Sequence, residues 1–219
     1  GAGLEKQVYH GSPAKQWHFL DGSLTDHDKG DRRVQDVGQQ RQIQTVIRVT
    51  LGVVLYLQLL LVVKERPADG TAHHLLGVAR QELGRVDAAA AALRRAIELD
   101  PSFGPAYASL ALAQFMEGFF DLTPFQEGVA AARESAFRAL ELDPNLSEAH
   151  AVLGYGALYH DWDWARAEAE LKRALELNPG DAFARHGMAD LLTVLGDVEG
   201  GVRQVELGRQ ADPLSLMAN

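Results

Sequence analysis

The chain has 219 residues, 47% of them apolar, which is enough for a hydrophobic core in one or two domains. It contains no cysteine, which excludes disulfide bonds and thiolate metal sites. Residues 1–66 carry 9 basic and 7 acidic side chains, whereas residues 67–219 carry 12 and 23. Because nucleic-acid binding needs a basic surface, the acidic part is not expected to bind nucleic acid.

Residues 1–66 are predicted to form a separate, poorly defined N-terminal segment. Residues 1–42 mix Gly, Asp, Gln and Lys without a period, which is typical of an irregular segment. Residues 49–63 form an uncharged run between Arg48 and Lys64, shorter than the roughly 20 residues that a membrane-spanning helix needs. We therefore expect a helix packed on the first of the repeats that follow, and a cytoplasmic protein. The alternatives are a membrane anchor through 49–63, with the membrane as a partner, or a strand.

The remaining chain repeats itself. A segment reading Ala-Ile-Glu-Leu-Asp-Pro ends at Pro101, close variants of it end at Pro144 and Pro179, and a decayed copy ends at Pro213. Proline lacks an amide donor and disfavours a helical residue before it, so each copy marks the end of a helix. Small residues five positions before three of the prolines, Ala96, Ala139 and Ala174, allow close helix crossings. The last two intervals between the prolines are close to the period of about 34 residues that predicts repeated helical hairpins, and the first is longer.

This pattern resembles the tetratricopeptide repeat over residues 68–219. The resemblance implies an all-α solenoid of about four helical hairpins, at about 70–103, 104–146, 147–181 and 182–215. The chain departs from the family in lacking the usual Trp early in each first helix, where it has His73, Tyr107, His150 and Arg185. The chain also has an insertion at 119–125, an enlarged turn at 160–164 and the ending Asp-Pro-Leu-Ser-Leu at 212–216. This combination resembles the C-terminal repeat regions of bacterial multidomain signalling and transcription-regulator proteins.

Two repeats exceed the usual period. The excess in the second repeat falls at 119–125, and its three Phe and one Leu are expected to fold back onto the array; a partner-binding lip is the alternative. The third repeat has an enlarged turn at 160–164, where Asp163 is expected to cap the next helix and the Trp rings to cover the end of the hairpin. His160, Asp161 and Asp163 would form an isolated group without a fourth ligand, so no metal site is predicted, and no cofactor either.

The sequence predicts binding and no enzymatic activity. It contains no glycine-rich phosphate loop and no nucleophile elbow. The resemblance implies a concave groove lined by the first helices, and the residues expected to bind there are His74, Leu112, Phe115, Tyr155, Leu158, His186 and Asp190. Their apolar and aromatic character predicts a scaffold that binds an apolar peptide or helix, with Phe115 and Tyr155 as the main anchors.

The predicted partner is another protein or peptide, or another domain of the same parent chain. The alternative function is that of a regulatory or sensor fragment of a larger bacterial signalling enzyme or transcription regulator.

Overall fold

The computed structural model describes Val46 and residues 50–211. The chain divides into two compact units, residues 1–42 and 43–219, and all described residues belong to the second. The predicted irregular segment at 1–42 and the proline that ends the last copy of the repeat, Pro213, lie outside the described residues.

The described residues form α-helices joined by short turns, which confirms the all-α solenoid prediction. The helices are α1 (50–65), α2 (Gly70–Glu82), α3 (Val86–Leu99), α4 (Gly104–Phe119), α5 (Phe125–Leu142), α6 (Ser147–Gly156), α7 (Trp164–Leu177), α8 (Ala182–Val194) and α9 (Val198–Ala211). Helix α6 continues into a π-helix at Ala157–Asp161. The first helices of the hairpins are thus α2, α4, α6 and α8, and the second helices are α3, α5, α7 and α9.

The Asp-Pro and Asn-Pro pairs end the second helices as predicted. Helices α3, α5 and α7 stop immediately before the pair, and the capping residues Asp100, Asp143 and Asn178 adopt extended backbone angles. The side chain of each capping residue then accepts a hydrogen bond from the backbone N–H two residues later, at 2.9–3.1 Å. This Asx turn directs the chain towards the next first helix.

Three of the four residues that stand in place of the family's Trp fix their first helix to the turn before it. Nε2 of His73 lies 3.1 Å from the Pro67 carbonyl, and Nε2 of His150 lies 3.1 Å from the Pro144 carbonyl. Two guanidinium nitrogens of Arg185 donate to the carbonyl of Pro179, at 2.9 and 2.6 Å. In each case the partner is the proline six residues earlier, so a polar side chain at this position makes the same local contact in three repeats.

Close packing depends on small residues, as the sequence predicted. Ala96, Ala139 and Ala174 are completely buried between neighbouring helices. Helices α4 and α5 cross even more closely, because a Cβ atom placed on Gly128 would lie only 2.8 Å from the Cα atom of Gly118. The largest hydrophobic cluster extends from α4 to α8 and holds the second, third and fourth hairpins together.

Helix α1 packs against the first hairpin through one face only. Leu59 is 9% exposed and lies against Leu76 and Ala92. The prediction of a helix on the first repeat is therefore confirmed for residues 50–63, and the strand alternative is wrong. The opposite face of α1 exposes Leu51, Val54, Leu57 and Leu61. Among the described residues, no helix combines the length and the apolar character needed to cross a membrane.

The excess residues of the second repeat lengthen its hairpin. Compared with the first hairpin, α4 is three residues longer, the turn two residues longer and α5 four residues longer. The expectation that 119–125 folds back is wrong for most of the segment: Phe125 packs on the core, but Phe119, Phe120 and Leu122 are exposed. An added helical turn satisfies its own backbone hydrogen bonds, so the segment continues the hairpin instead of lying on its neighbours.

The π-helix takes up the single extra residue of the third repeat. Helix α6 starts three residues after Pro144, and α2 starts three after Pro67, but α7 starts one residue later relative to its proline than α3 does. The wider π-helical turn lies between these points, and Trp162 ends it in the left-handed region with φ 57°. Asp163 caps α7 as predicted, by accepting from the Arg166 N–H. The Trp rings do not cover the hairpin end, since both are exposed.

Candidate protein-binding groove

The first helices of the hairpins line the inner face of the array. Helices α2, α4, α6 and α8 contact one another in sequence, whereas the second helices are spaced more widely. An array in which one row of helices packs more closely than the other curves towards the closer row. The predicted groove residues all lie on this closer row or on the π-helix that continues it.

A stack of aromatic rings forms the floor of the groove. Tyr155 stacks on Phe183 with ring centroids 4.1 Å apart and planes inclined by 16°, and Phe115 lies 5.4 Å from Tyr155. Phe115 is 1% exposed and Tyr155 3%, and Leu158 is also buried. The structure therefore places these three predicted site residues beneath the surface, where they join the hairpins. Their direct contact with a partner stays a prediction.

Gly187 makes this ring stack possible. A Cβ atom at Gly187 would lie 2.7 Å from the Cε2 atom of Tyr155 and 2.9 Å from a methyl carbon of Leu171. The Tyr155 ring thus occupies the space that any larger residue at position 187 would need. The position is helical, so the glycine is required by the close approach and not by its backbone angles.

Exposed aromatic side chains lie at one end of the groove. We call Phe119, Phe120 and Tyr159 the aromatic rim. Phe119 is 50% exposed, Phe120 is 58% exposed, and Tyr159 is partly buried. The Phe119 ring lies edge-on to the rings of Phe120 and Tyr159, at centroid distances of 5.7 and 6.3 Å. The rim therefore joins the tip of the long second hairpin to the π-helix of the third.

Tyr159 is a groove residue that the sequence analysis missed. Regular spacing along α6 predicts Leu158 at this position, but the structure buries Leu158 and gives the adjacent Tyr159 a hydrogen bond to α8. The difference arises because the segment becomes a π-helix, which has more residues per turn than an α-helix. The enlarged turn after Tyr159 was the sequence feature that could have indicated this change in helix geometry.

His186 and Asp190 form a polar cluster beside the rim. The Tyr159 hydroxyl donates to Oδ2 of Asp190 at 2.8 Å, and Nδ1 of His186 lies 3.1 Å from the same oxygen. The same His186 nitrogen lies 2.9 Å from the Tyr155 hydroxyl. The hydrogen bond that Asp190 accepts from His186 raises the pKa of His186, because the carboxylate stabilises the charged imidazolium. Four residues, three of them predicted, thus meet in one cluster.

The other end of the groove holds a polar network across three hairpins. The hydroxyl of Ser109 donates to Oε2 of Glu148 at 2.9 Å, and Nε2 of His74 lies 3.3 Å from the same hydroxyl. The amide of Gln81 donates to the Ser109 backbone carbonyl at 3.0 Å. Burial lowers the pKa of His74 because it disfavours the charged ring. The structure separates His74 from the His186 cluster, and Ser109, which connects the network, was not predicted.

The Glu148 carboxyl is held in an unfavourable environment for its charge. Burial raises its pKa to about 7, partly offset by the Ser109 hydrogen bond, and the nearby carboxylates of Asp181 and Glu82 raise it further. Burial likewise raises the pKa of Asp181, whose carboxylate accepts from Ser147 and caps α8. The wall of the groove is thus acidic between its two histidine-containing ends.

Leu112 is the remaining predicted site residue, and it is partly buried on α4 against the main cluster. In the part of the chain that the structure describes, no three His, Asp or Glu side chains are grouped so that they could hold a metal ion. The arrangement combines a rigid aromatic floor, a half-exposed polar wall and an exposed rim. Such a surface can contact an apolar segment and provide a few oriented hydrogen bonds.

The comparisons with known proteins agree with this architecture. The model of the tetratricopeptide repeat family matches residues 70–103. A thermophilic tetratricopeptide-repeat protein of Thermus thermophilus has a similar structure, with a TM-score of 0.64 and 20% identity over 82% of this chain and 94% of that chain. No curated protein matches the sequence.

A chain of the hetero-tetramer of Cut9 and Hcn1 from the APC/C is also similar, with a TM-score of 0.58 and 16% identity over 73% of this chain. The present chain spans only 29% of that chain's length. At these identities the likeness shows the fold alone. The described hairpins therefore have the fold of a tetratricopeptide-repeat solenoid, and the first hairpin matches that family in sequence.

Proposed function

We propose that the protein is an interaction scaffold that binds an apolar peptide or helix along its inner face. Tetratricopeptide repeats generally mediate protein–protein interactions. The observation that supports a site here is the aromatic rim, because half-exposed Phe119 lies beside Phe120 and the partly exposed Tyr159. The hydroxyl of Tyr159 shares the Asp190 carboxylate with His186. Large apolar side chains left in water beside oriented polar groups usually mark a binding surface.

The buried residues of the floor have an indirect part in this proposal. Phe115, Tyr155 and Phe183 fix the relative positions of α4, α6 and α8, and so they fix the shape of the surface above them. A partner would then contact the partly exposed Leu112, Tyr159 and His186, with Phe119 at the edge. A rigid site loses little conformational entropy on binding.

Site-directed photo-cross-linking tests the proposal. A photoreactive amino acid replaces Leu112 on the inner face, and in a matched control it replaces Phe137, which is 45% exposed on the second helix α5. We expect an extract of the source cells to yield a protein adduct from position 112 that is absent from position 137. Equal adducts from both positions, or adducts from 137 alone, would contradict groove binding.

The regulatory or sensor alternative predicts a different occupant, a segment of the same parent chain. It rests on the resemblance of the two long repeats, together with the ending at 212–216, to the repeat regions of bacterial signalling proteins. In the cross-linking experiment it predicts an intramolecular adduct from position 112, visible as a product without added mass from another protein. The same groove serves both versions of the proposal.

A further inference from the structure

The inner face carries a row of carboxylates beside its aromatic surface. Glu82 and Asp181 both raise the pKa of Glu148, and Asp181 and Asp190 both raise that of Tyr155. The row therefore crosses from α2 to α8 along the groove. Within the described residues, neither Glu148 nor Asp181 has an ion pair with Lys or Arg, and Asp190 pairs only with His186.

The charge of this face contrasts with that of the outer face. On the second helices, carboxylates pair with arginines, as in Arg95–Glu98, Arg138–Glu141 and Arg173–Glu176. The inner carboxylates instead have hydrogen bonds from hydroxyl groups: Ser109 to Glu148, Ser147 to Asp181 and Tyr159 to Asp190. A hydroxyl donor adds no positive charge, so Asp181, and Asp190 apart from His186, have carboxylates that a basic partner can neutralise. Glu148, whose pKa burial raises to about 7, is only partly charged at neutral pH.

One position along this row also has exposed aromatic rings. The hydroxyl of Tyr159 holds Asp190, and the ring of Tyr159 contacts Phe119. A cation is attracted to an aromatic face within about 6 Å of the ring centroid, and the attraction is strongest for a desolvated Arg or Lys. A planar guanidinium can in addition stack on such a ring while it donates to a carboxylate.

We propose that the segment bound in the groove carries a basic side chain, arginine before lysine, which docks between the aromatic rim and the Asp190 carboxylate. This inference rests on the proposed function and specifies its partner: an apolar segment with positive charge. The carboxylates of Asp181 and Asp190 favour such a partner over an acidic or a neutral one, and residues 67–219, with 12 basic and 23 acidic side chains, favour it at long range.

Two synthetic peptides test this specificity with the full chain. Both are capped at each end and alternate leucine with a second residue, which is arginine in one peptide and the uncharged isostere citrulline in the other. Fluorescence anisotropy at about 0.15 M salt measures their dissociation constants, since this salt screens charges more than about 8 Å away. We expect the arginine peptide to bind at least tenfold more tightly than the citrulline peptide.

The variant Asp190→Asn locates the effect, and Glu176→Gln on the outer face of α7 is its control with the same change in charge. We expect Asp190→Asn to reduce the preference for arginine at least fivefold and Glu176→Gln to leave it within twofold. The variant Phe119→Ala, which changes no charge, should also reduce it. Circular dichroism and thermal unfolding of each variant show whether the fold is kept. If Asp190→Asn unfolds, Phe119→Ala decides the question alone.

Three outcomes would overturn the inference. Equal affinity of the two peptides, with both perturbing the NMR signals of Tyr159, would leave a groove without charge preference, so that the proposed function stands and the inference fails. An equal loss with Glu176→Gln and Asp190→Asn would show a general charge effect and no docking site. Binding of neither peptide, or binding that leaves the Tyr159 signals unchanged, would overturn the inference and count against the proposed function as well.

Discussion

At position 187, a single methyl group competes with an aromatic ring. The substitution Gly187→Ala would place a Cβ atom 2.7 Å from Cε2 of Tyr155, so the ring must leave its stack on Phe183. Overpacking of this kind typically costs about 1–3 kcal/mol. We expect a loss of unfolding free energy of that size in urea denaturation, together with a shift of the Tyr155 NMR signals.

Gly156→Ala is the matched control. It lies one residue from Tyr155, and an added Cβ atom would have its nearest neighbour at 3.7 Å, an ordinary contact. Because alanine is favoured over glycine in a helix, we expect no loss of stability or a gain of about 0.5–1 kcal/mol. Equal destabilisation by the two substitutions would show that Tyr155 does not depend on the space at Gly187.

Glu148 should make the stability of the fold depend on pH. Its pKa is raised from 4.5 to about 7, mainly by burial, so the folded chain binds a proton that the unfolded chain releases above pH 4.5. The stability linked to this proton is complete below pH 4.5, falls as the pH rises to about 7, and is then constant. We expect Glu148→Gln to be more stable than the native chain by about 1–3 kcal/mol at pH 8.

Chemical denaturation at pH 5 and at pH 8 checks this expectation. The difference between Glu148→Gln and the native chain should be small at pH 5 and large at pH 8, because glutamine retains an acceptor for the Ser109 hydroxyl but has no charge. His150, whose pKa is raised by its hydrogen bond with Glu170, contributes in the same direction in both proteins and cancels in the comparison. A constant difference across the pH range would be evidence against a strained carboxylate.

At the scale of the element, Ala139 tests the register of the second helices. It is completely buried in α5, and Ala139→Leu should cost about 1–3 kcal/mol of unfolding free energy by overpacking. Glu141, two residues later, makes an exposed ion pair with Arg138, and such pairs contribute about 0–1 kcal/mol. Thermal unfolding should therefore separate Ala139→Leu from Glu141→Gln, and similar shifts for both would contradict the register.

Helix α1 offers a second matched pair. Leu59 faces the first hairpin, whereas Leu61 is 59% exposed on the opposite side. Leu59→Ala should destabilise the protein by about 2 kcal/mol, because it leaves a cavity against Leu76, and Leu61→Ala by less than about 0.5 kcal/mol. If the two substitutions have equal effects in urea denaturation, α1 is not docked through the face that the structure shows.

The sequence predicts these elements well where spacing alone decides. The ends of α3, α5 and α7 follow from proline chemistry, which acts within two residues. The sequence also held a signal that was overlooked, since Pro67 precedes Pro101 by one full repeat period and marks the end of α1 in the same way. The hairpin extension at Phe119 was not predictable, because an apolar insertion can either pack back or lengthen a helix, and local pattern does not separate the two.

At the scale of the whole molecule, stability should vary along the array. In repeat proteins each unit contacts only its neighbours, so stability is a sum of local terms. The main cluster joins α4 to α8, whereas α9 contains Gly200 and Gly201 and exposes Val198 and Val202. We expect backbone amides of α5 and α6 to exchange most slowly and those of α9 fastest among the described hairpins.

Hydrogen exchange followed by mass spectrometry measures this gradient in the intact chain. Peptides from 125–156 should stay protected after peptides from 198–211 have exchanged fully. Uniform protection from α2 to α9 would contradict the picture of additive local terms and would indicate one cooperative unit.

The groove was only partly predictable because burial is a property of the assembled array. Helix position identifies Phe115 and Tyr155 as inward-facing residues, but their burial depends on Phe183 from the next hairpin and on the gap at Gly187. His186 and Asp190 were predicted and are partly accessible, since helical spacing of four places both on one face. Ser109 and Tyr159 were missed, the former because a lone serine has no pattern and the latter because of the π-helix.

The confinement of added residues to single hairpins bears on how such a chain can change over generations. Helix α8 starts three residues after its proline just as α2 does, although two longer repeats precede it. An insertion is therefore absorbed where it occurs and leaves the packing of later hairpins intact. Both length changes in this chain end in aromatic side chains on the same rim, Phe119 and Phe120 from one and Tyr159 from the other. New binding chemistry can thus be acquired by lengthening a hairpin, without redesign of the core.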